Sequence, residues 1–294
     1  MTGMTGITEA HTAPADLDDA YENGKYIEGG SQMLARWPER AAAFRAEGSN
    51  SKLNQPYGAE PRQAYDLFMP DGGMAMAKGI LIFVHGGYWM ALSKDDFSHL
   101  AAGPLALGWA VAMPSYSLAP QARIGDITSE IAAAISAIMD DIGPAIDGPL
   151  RLAGHSAGGH LVTRMMCQNS QLSEQVLDRL DRVISLSGLH DLRALHQLSK
   201  NDIWQLDDAE VMAESPALLT PRSAIDLVCV VGADERPEFI RQTRLLPLLW
   251  QGLGVTGQTV IAAEENHFSI IDQMTDPSSH LCQLIDLPSP PEAI

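Results

Sequence analysis

Leu150-Arg151-Leu152-Ala153-Gly154-His155-Ser156-Ala157-Gly158-Gly159-His160-Leu161 is the stretch that decides the fold. Residues 150–153 read as a short buried strand. Downstream, Leu161, Val162, Met165 and Met166 recur at helical spacing. Between them, Gly154-His155-Ser156-Ala157-Gly158 fits G-x-S-x-G, a tight strand-to-helix turn that lifts a serine hydroxyl clear of the sheet. Glycine is needed at both ends because a side chain would crowd the strained turn. The following helix directs its free N–H groups at the serine, where an oxyanion would form. The alternative is a chance pattern in a loop. The apolar strand before the motif and the apolar-periodic helix after it argue against that.

Outward from this turn the chain alternates. Upstream, residues 79–84 are a continuous apolar run, which suits a strand buried on both faces. The run ends in His85-Gly86-Gly87-Tyr88-Trp89. Further strands are expected at 63–69, 109–113, 183–186, 226–231 and 259–263. Helices are expected at 31–47, with Pro38 breaking or restarting it, and at 95–107, 127–139, 237–250 and 278–285. The 127–139 helix carries the clearest stripe: Ile127, Ile131, Ile135, Ile138 and Met139. The helix at 31–47 reads either as a plain docking helix or as a cover over the entrance of a site. Residues 188–222 exceed an ordinary connection and read as a helical insertion. Residues 1–18 and 287–294 read as tails. Strands alternating with helices imply the α/β class: a mostly parallel central sheet with helices on both faces. Ligands in such sheets sit beyond the carboxyl ends of the strands. The linkers are too short for two independent domains, so residues 1–294 are read as one.

The chemistry follows from what a serine lacks. Its hydroxyl is a poor nucleophile at neutral pH and needs a general base, which in turn needs an orienting acid. In this architecture the order along the chain is Ser, then Asp or Glu, then His. His267, directly after the last expected strand, stands at the carboxyl edge of the sheet. His160 is expected beneath the site, with bland roles for His190, His196 and His280; His155 sits beside the nucleophile but points elsewhere. The acid should follow the strand ending at Val231, where Asp234 and Glu235 are neighbours. Residue chemistry alone leaves both open. The Gly86-Gly87 pair lets backbone N–H groups approach a substrate closely, and Ala157 N–H completes an oxyanion hole. Tyr88 and Trp89 read either as an aromatic wall for the substrate or as lid packing.

Composition bounds the remaining possibilities. The 294 residues carry a formal charge of −18, with 19 Lys and Arg against 37 Asp and Glu. That balance argues against nucleic-acid binding, which needs clustered basic residues. Cys167, Cys229 and Cys282 are scattered and form no C-x-x-C pair, so neither a zinc site nor a disulfide framework is indicated. No phosphate-binding loop, dinucleotide fingerprint or His-Glu-x-x-His helix occurs, so neither a cofactor nor a metal is expected. No stretch approaches a membrane span and no secretory leader is visible, which makes cytoplasmic the default location. The partner expected is a small-molecule substrate. A homodimer stays open.

Several stretches together resemble the kynurenine formamidase (arylformamidase) group of α/β-hydrolases. They are His85-Gly86-Gly87-Tyr88-Trp89, the 154–161 motif, Ser187-Gly188-Leu189-His190-Asp191-Leu192-Arg193, Ser215-Pro216-Ala217-Leu218, Glu235-Arg236-Pro237-Glu238-Phe239 followed by Arg241-Gln242, and Asn266-His267-Phe268. The likeness covers roughly residues 60–275 and implies an α/β-hydrolase fold. It implies hydrolysis of N-formylkynurenine to kynurenine and formate, with Ser156 as nucleophile and His267 as base. In the family pattern the acid stands three residues before the Glu of Glu-Phe, which implies Glu235, where members often carry Asp. The rival expectations are a general carboxylesterase of the same fold and a catalytically silent binding protein. The latter would need a missing triad member, and none is missing.

Overall fold

Five consecutive apolar residues with no polar alternation, such as Ile80-Leu81-Ile82-Phe83-Val84, can form a strand only where both faces are covered. The computed structural model, which describes residues 13–48 and 50–288, puts this run at the centre of an eight-stranded sheet. The strands are β1 (Ser51–Pro56), β2 (Ala64–Phe68), β3 (Ile80–Val84), β4 (Ala110–Pro114), β5 (Leu150–His155), β6 (Leu180–Leu186), β7 (Asp226–Gly232) and β8 (Gly257–Ala262). Their order is β1-β2-β4-β3-β5-β6-β7-β8. The β1–β2 and β2–β4 pairs are antiparallel, and all pairs from β4 to β8 are parallel. Every residue of β3, β4 and β5 is buried.

The helices are α1 (Leu17–Ala20), α2 (Gly30–Glu47), α3 (Ala102–Ala106), α4 (Ile124–Ile142), α5 (Ala157–Arg164), α6 (Glu174–Leu177), α7 (Leu192–Leu195), α8 (Asn201–Trp204), α9 (Asp208–Glu214), α10 (Pro237–Gln251) and α11 (His280–Asp286). One core layer gathers α4, α5 and α10 on one face of the sheet, including Ile127, Ile131, Ile135 and Leu161. The other gathers α2, α11 and the turns around Phe97 and Ile270. The isoleucine stripe of α4 is fully buried, as its spacing requires. The segment at 188–222 is occupied by α7, α8 and α9.

The structure departs from the sequence expectations at several points. Pro38 does not break α2, which runs unbroken from Gly30 to Glu47. Proline removes one intrahelical hydrogen bond. Burial of Trp37 and Ala41 holds both halves of the helix to one surface, with the Trp37 ring packed on Phe97 and Phe268. The helix expected at 95–107 is instead two 3-10 turns, Lys94–Asp96 and Ser98–Ala101, followed by the short α3. Pro104 falls in the first turn of α3, where its missing N–H leaves no intrahelical bond unmade. The pattern does not predict β1, because Ser-Lys-Leu-Asn-Gln-Pro is polar and forms an edge strand with most residues exposed. Residues 16–18 are not tail: the Asp16 carboxylate caps α1 by accepting the Asp19 N–H, and Asp18 accepts from the Ser199 N–H and hydroxyl. The rest of the tail expectation falls largely on 1–12 and 289–294, outside the described residues. Among the described residues no helix is long and apolar enough to cross a membrane.

The α4 stripe gives a direct test of the packing. Ile135→Ala is expected to lower unfolding stability by roughly 2–5 kcal/mol, read as a shift of the urea midpoint at unchanged m-value. A loss well under about 1 kcal/mol would place Ile135 outside a close-packed core.

Candidate active site

The turn between β5 and α5 is as tight as backbone allows. Ser156 sits at φ 54, ψ −114, outside the regions that side-chain-bearing residues favour. A Cβ on Gly154 would lie 2.2 Å from the Gly158 carbonyl oxygen, and one on Gly158 would lie 2.0 Å from that of Val84. Both glycines are therefore compulsory. The Ser156 N–H donates to the Leu186 carbonyl at 2.7 Å, which pins the turn to β6. The first N–H groups of α5, beginning at Ala157, have no intrahelical acceptor.

The loop after β3 passes the serine with backbone alone. A Cβ on Gly86 would lie 2.8 Å from the His155 carbonyl oxygen and 3.1 Å from Ser156 Cβ. Gly87 has φ +111, and a Cβ there would lie 2.1 Å from the Ala91 carbonyl oxygen. Tyr88 and Trp89 continue in the left-handed region at φ 51 and 56. Side-chain bonds hold this strained path. Trp204 Nε1–H donates to the Tyr88 carbonyl at 2.7 Å, and the Tyr88 hydroxyl donates to the Tyr21 carbonyl. His85 Nδ1–H donates to the Gly86 carbonyl at 2.7 Å, and its ring stacks on Tyr116 at 4.2 Å.

His267 follows β8, and its Nδ1–H donates to Glu235 Oε2 at 2.6 Å. That bond leaves Nε2 as the free nitrogen. The Glu235 side chain is fully buried. Its Oε1 accepts from the Gly232 N–H at 2.9 Å and from the Ser187 hydroxyl. Its Oε2 accepts from Asn23 Nδ2 at 3.3 Å as well as from His267. Asp234, the other acid left open by the sequence, is exposed. The structure thus brings Glu235 and not Asp234 to His267. Ser187 and Asn23 are partners the sequence did not reveal. Ser187 could have been suspected, since it follows a buried strand as Ser156 does, and it too has positive φ.

His155 does not point away from the site. Its ring lies 4.6 Å from that of His267, and its Nε2–H donates to the His267 carbonyl at 2.9 Å. Burial, and then the neighbouring His267, push its pKa well below the ordinary histidine value. It stays neutral, so it adds no charge beside His267. His160 lies beneath the turn and donates Nε2–H to the Glu214 carbonyl at 2.7 Å. His190 bonds Ser185 and the Gln242 carbonyl.

Ser156 and His267 open onto one cavity of about 310 Å³. Gly87 and Tyr88 line one side, and Leu34 and Trp37 of α2 another, so α2 covers the site. Trp89 is not part of the wall. It is fully buried, edge-on to His160 and Trp204, and is packing beneath the loop. For Trp89 the packing alternative holds, and Trp37 and Phe268 supply aromatic lining in its place. Among the described residues no cluster of His, Cys, Asp and Glu is arranged to hold a metal.

Residues 81–247 match the family model for the α/β-hydrolase fold, and the chain belongs to that family. It is an enzyme of the hydrolase type. It is 29% identical to a kynurenine formamidase of Salmo salar over 252 residues, 82% of this chain and 83% of that one. It is 26% identical to a kynurenine formamidase of Danio rerio, over 79% of this chain and 80% of that one. These relatives support the resemblance to the kynurenine formamidase group. Among solved structures, a candidate thioesterase from Silicibacter sp. TM1040 superposes with a TM-score of 0.86 at 43% identity, over 92% of this chain and 99% of that one. Esterase B from Lactobacillus rhamnosis, with a TM-score of 0.65 at 18% identity over 87% and 92%, shares the fold.

The buried histidines predict an acid-sensitive fold. Burial lowers His85 and His160 to about 3 and His190 to about 4. The unfolded chain binds these protons near the ordinary value and the folded chain refuses them. Stability is therefore full above about pH 6.5 and falls as pH drops below it, by on the order of 2 kcal/mol per histidine by about pH 5. Melting temperature measured from neutral pH downward should fall through this window. A flat profile would mean that these rings take up protons in place.

Proposed function

We propose that this chain is a serine hydrolase of aryl formamides, cleaving N-formylkynurenine to kynurenine and formate. The observation that carries the reading is the 2.6 Å bond between buried Glu235 and His267, beside Ser156 on its strained turn. His267 Nε2 takes the Ser156 proton as Oγ attacks the formyl carbon. The backbone N–H groups of Gly86, Gly87 and Ala157 hold the oxyanion. His267 then gives the proton to the aniline nitrogen, which leaves as kynurenine. A water that yields its proton to His267 attacks the formyl-enzyme, and Ser156 recovers its proton as formate departs.

Trp37, Phe268 and Tyr88 around the cavity suit an aryl leaving group. The names of the fish relatives support the same substrate. The Silicibacter structure favours a second reading, hydrolysis of a thioester or a small carboxylic ester by the same residues.

Steady-state kinetics separates these readings. N-formylkynurenine is expected to give the highest kcat/KM, and p-nitrophenyl esters should fall off as the acyl chain lengthens. Preference for longer acyl esters or thioesters, with the formamide untouched, would give the site to the second reading.

The assignment of the acid has its own test. Ser156→Ala and Glu235→Gln are each expected to lower kcat by at least about a hundredfold with the fold intact, while Asp234→Asn stays within about twofold. The reverse ranking of the two amide variants would move the acid to Asp234.

A further inference from the structure

Residues 16–26 precede the matched family region, and the reaction steps above do not use them. They fold as α1 and a 3-10 turn at Gly24–Tyr26, and they lie across two loops of the site. On one side they receive the Tyr88 hydroxyl at the Tyr21 carbonyl. On the other, Arg236 donates to Asp19 at 2.8 Å and lies 4.0 Å from the Tyr26 ring centroid. The fully buried Tyr21 donates its hydroxyl to Glu238 at 2.9 Å and accepts from Gln242 at 2.9 Å.

Asn23 stands at the centre of this contact and is 5% exposed. Its Nδ2 donates at 3.3 Å to Glu235 Oε2, the oxygen that also receives His267. Its Oδ1 accepts the Arg236 N–H at 2.9 Å. Donor and acceptor ends of the amide are both used, which fixes its orientation. We propose that residues 16–26 form a strap over the site, and that Asn23 is a positioning residue holding the Glu235 carboxylate toward His267.

The physical need comes from the length of the acid. The terminal torsion of a glutamate is broad, without sharp rotamer wells. Gly232 and Ser187 anchor Oε1. That leaves Oε2 held by His267, the ring it must orient, so a second donor is needed to fix the carboxylate independently of that ring. Asn23 supplies that donor, and through Arg236 it also fixes the loop that carries the acid. Because Asn23 acts through Glu235, its loss falls on the chemical step far more than on substrate capture.

This inference rests on the reading of Glu235 and His267 as acid and base, and a double-mutant cycle separates the two. The assay uses whichever of N-formylkynurenine or p-nitrophenyl acetate the wild-type chain turns over faster. Asn23→Ala is expected to lower kcat about tenfold with KM within about threefold, and to lower it less than about twofold in a Glu235→Gln background. Asn23→Asp keeps an acceptor for the Arg236 N–H but sets a second carboxylate against Glu235. With folding checked by circular dichroism and kcat read above about pH 8, where both are ionised, it should lose at least as much kcat as the alanine variant. Equal fold-losses in both backgrounds would overturn the proposal, as would an Asn23→Asp enzyme with wild-type kcat, since the residue would then be a fastener of the loop. If Glu235→Gln itself leaves kcat unchanged, the acid assignment fails and the inference falls with it.

Discussion

The chain crossing at Ser156 is the constraint on which the rest of the molecule depends. β5, α5 and the end of β3 meet there so closely that Gly154 and Gly158 leave no space for a single added carbon. The strain at Ser156 persists because what surrounds it is rigid. β5 is buried along its whole length between β3 and β6. α5 is buried from Ala157 to Arg164. The fold therefore fixes the backbone that carries the Ser156 hydroxyl before any ligand arrives.

Electrostatics around the turn follow one rule: a charge is kept out of the interior unless it is partnered. His85, His155, His160 and His190 are buried, and desolvation keeps them neutral. Glu235 is a buried carboxylate beside them, and its oxygens receive four donors from four separate parts of the chain. A buried carboxylate without such partners would tend to take up a proton. Surrounded this way, it can stabilise a positive charge on His267. The overall charge of −18 plays no visible part in this local arrangement.

The cover of the site is built from parts outside the sheet. α2 lays Trp37 and Leu34 on the cavity, α8 holds the loop after β3 through Trp204, and residues 16–26 reach both that loop and the acid loop. These segments are held mainly by side-chain bonds and ring contacts rather than by sheet pairing. They shape the cavity without altering the strands that carry Ser156, Glu235 and His267.

What the sequence determined by itself was the part governed by local rules. The glycines around Ser156 are demanded by contacts within one turn, and the apolar runs of β3 to β7 by burial on both faces. Both are therefore legible in a dozen residues. The order of serine, acid and histidine follows from the order of the strands. Tertiary structure decided what depends on residues far apart in the chain. Asp234 and Glu235 differ by one position, and it is Glu235 that meets His267, because Gly232, Ser187 and Asn23 also converge on its carboxylate from different elements. For Trp89 the sequence left wall or packing open, and it is packing, while Trp37, fifty-odd residues earlier, lines the cavity. Pro38 looked like a break, but the surface that holds both halves of α2 comes from Phe97 and Phe268. Periodicity reports which side of an element is apolar. Which partner meets that side is set by the packing of the whole chain.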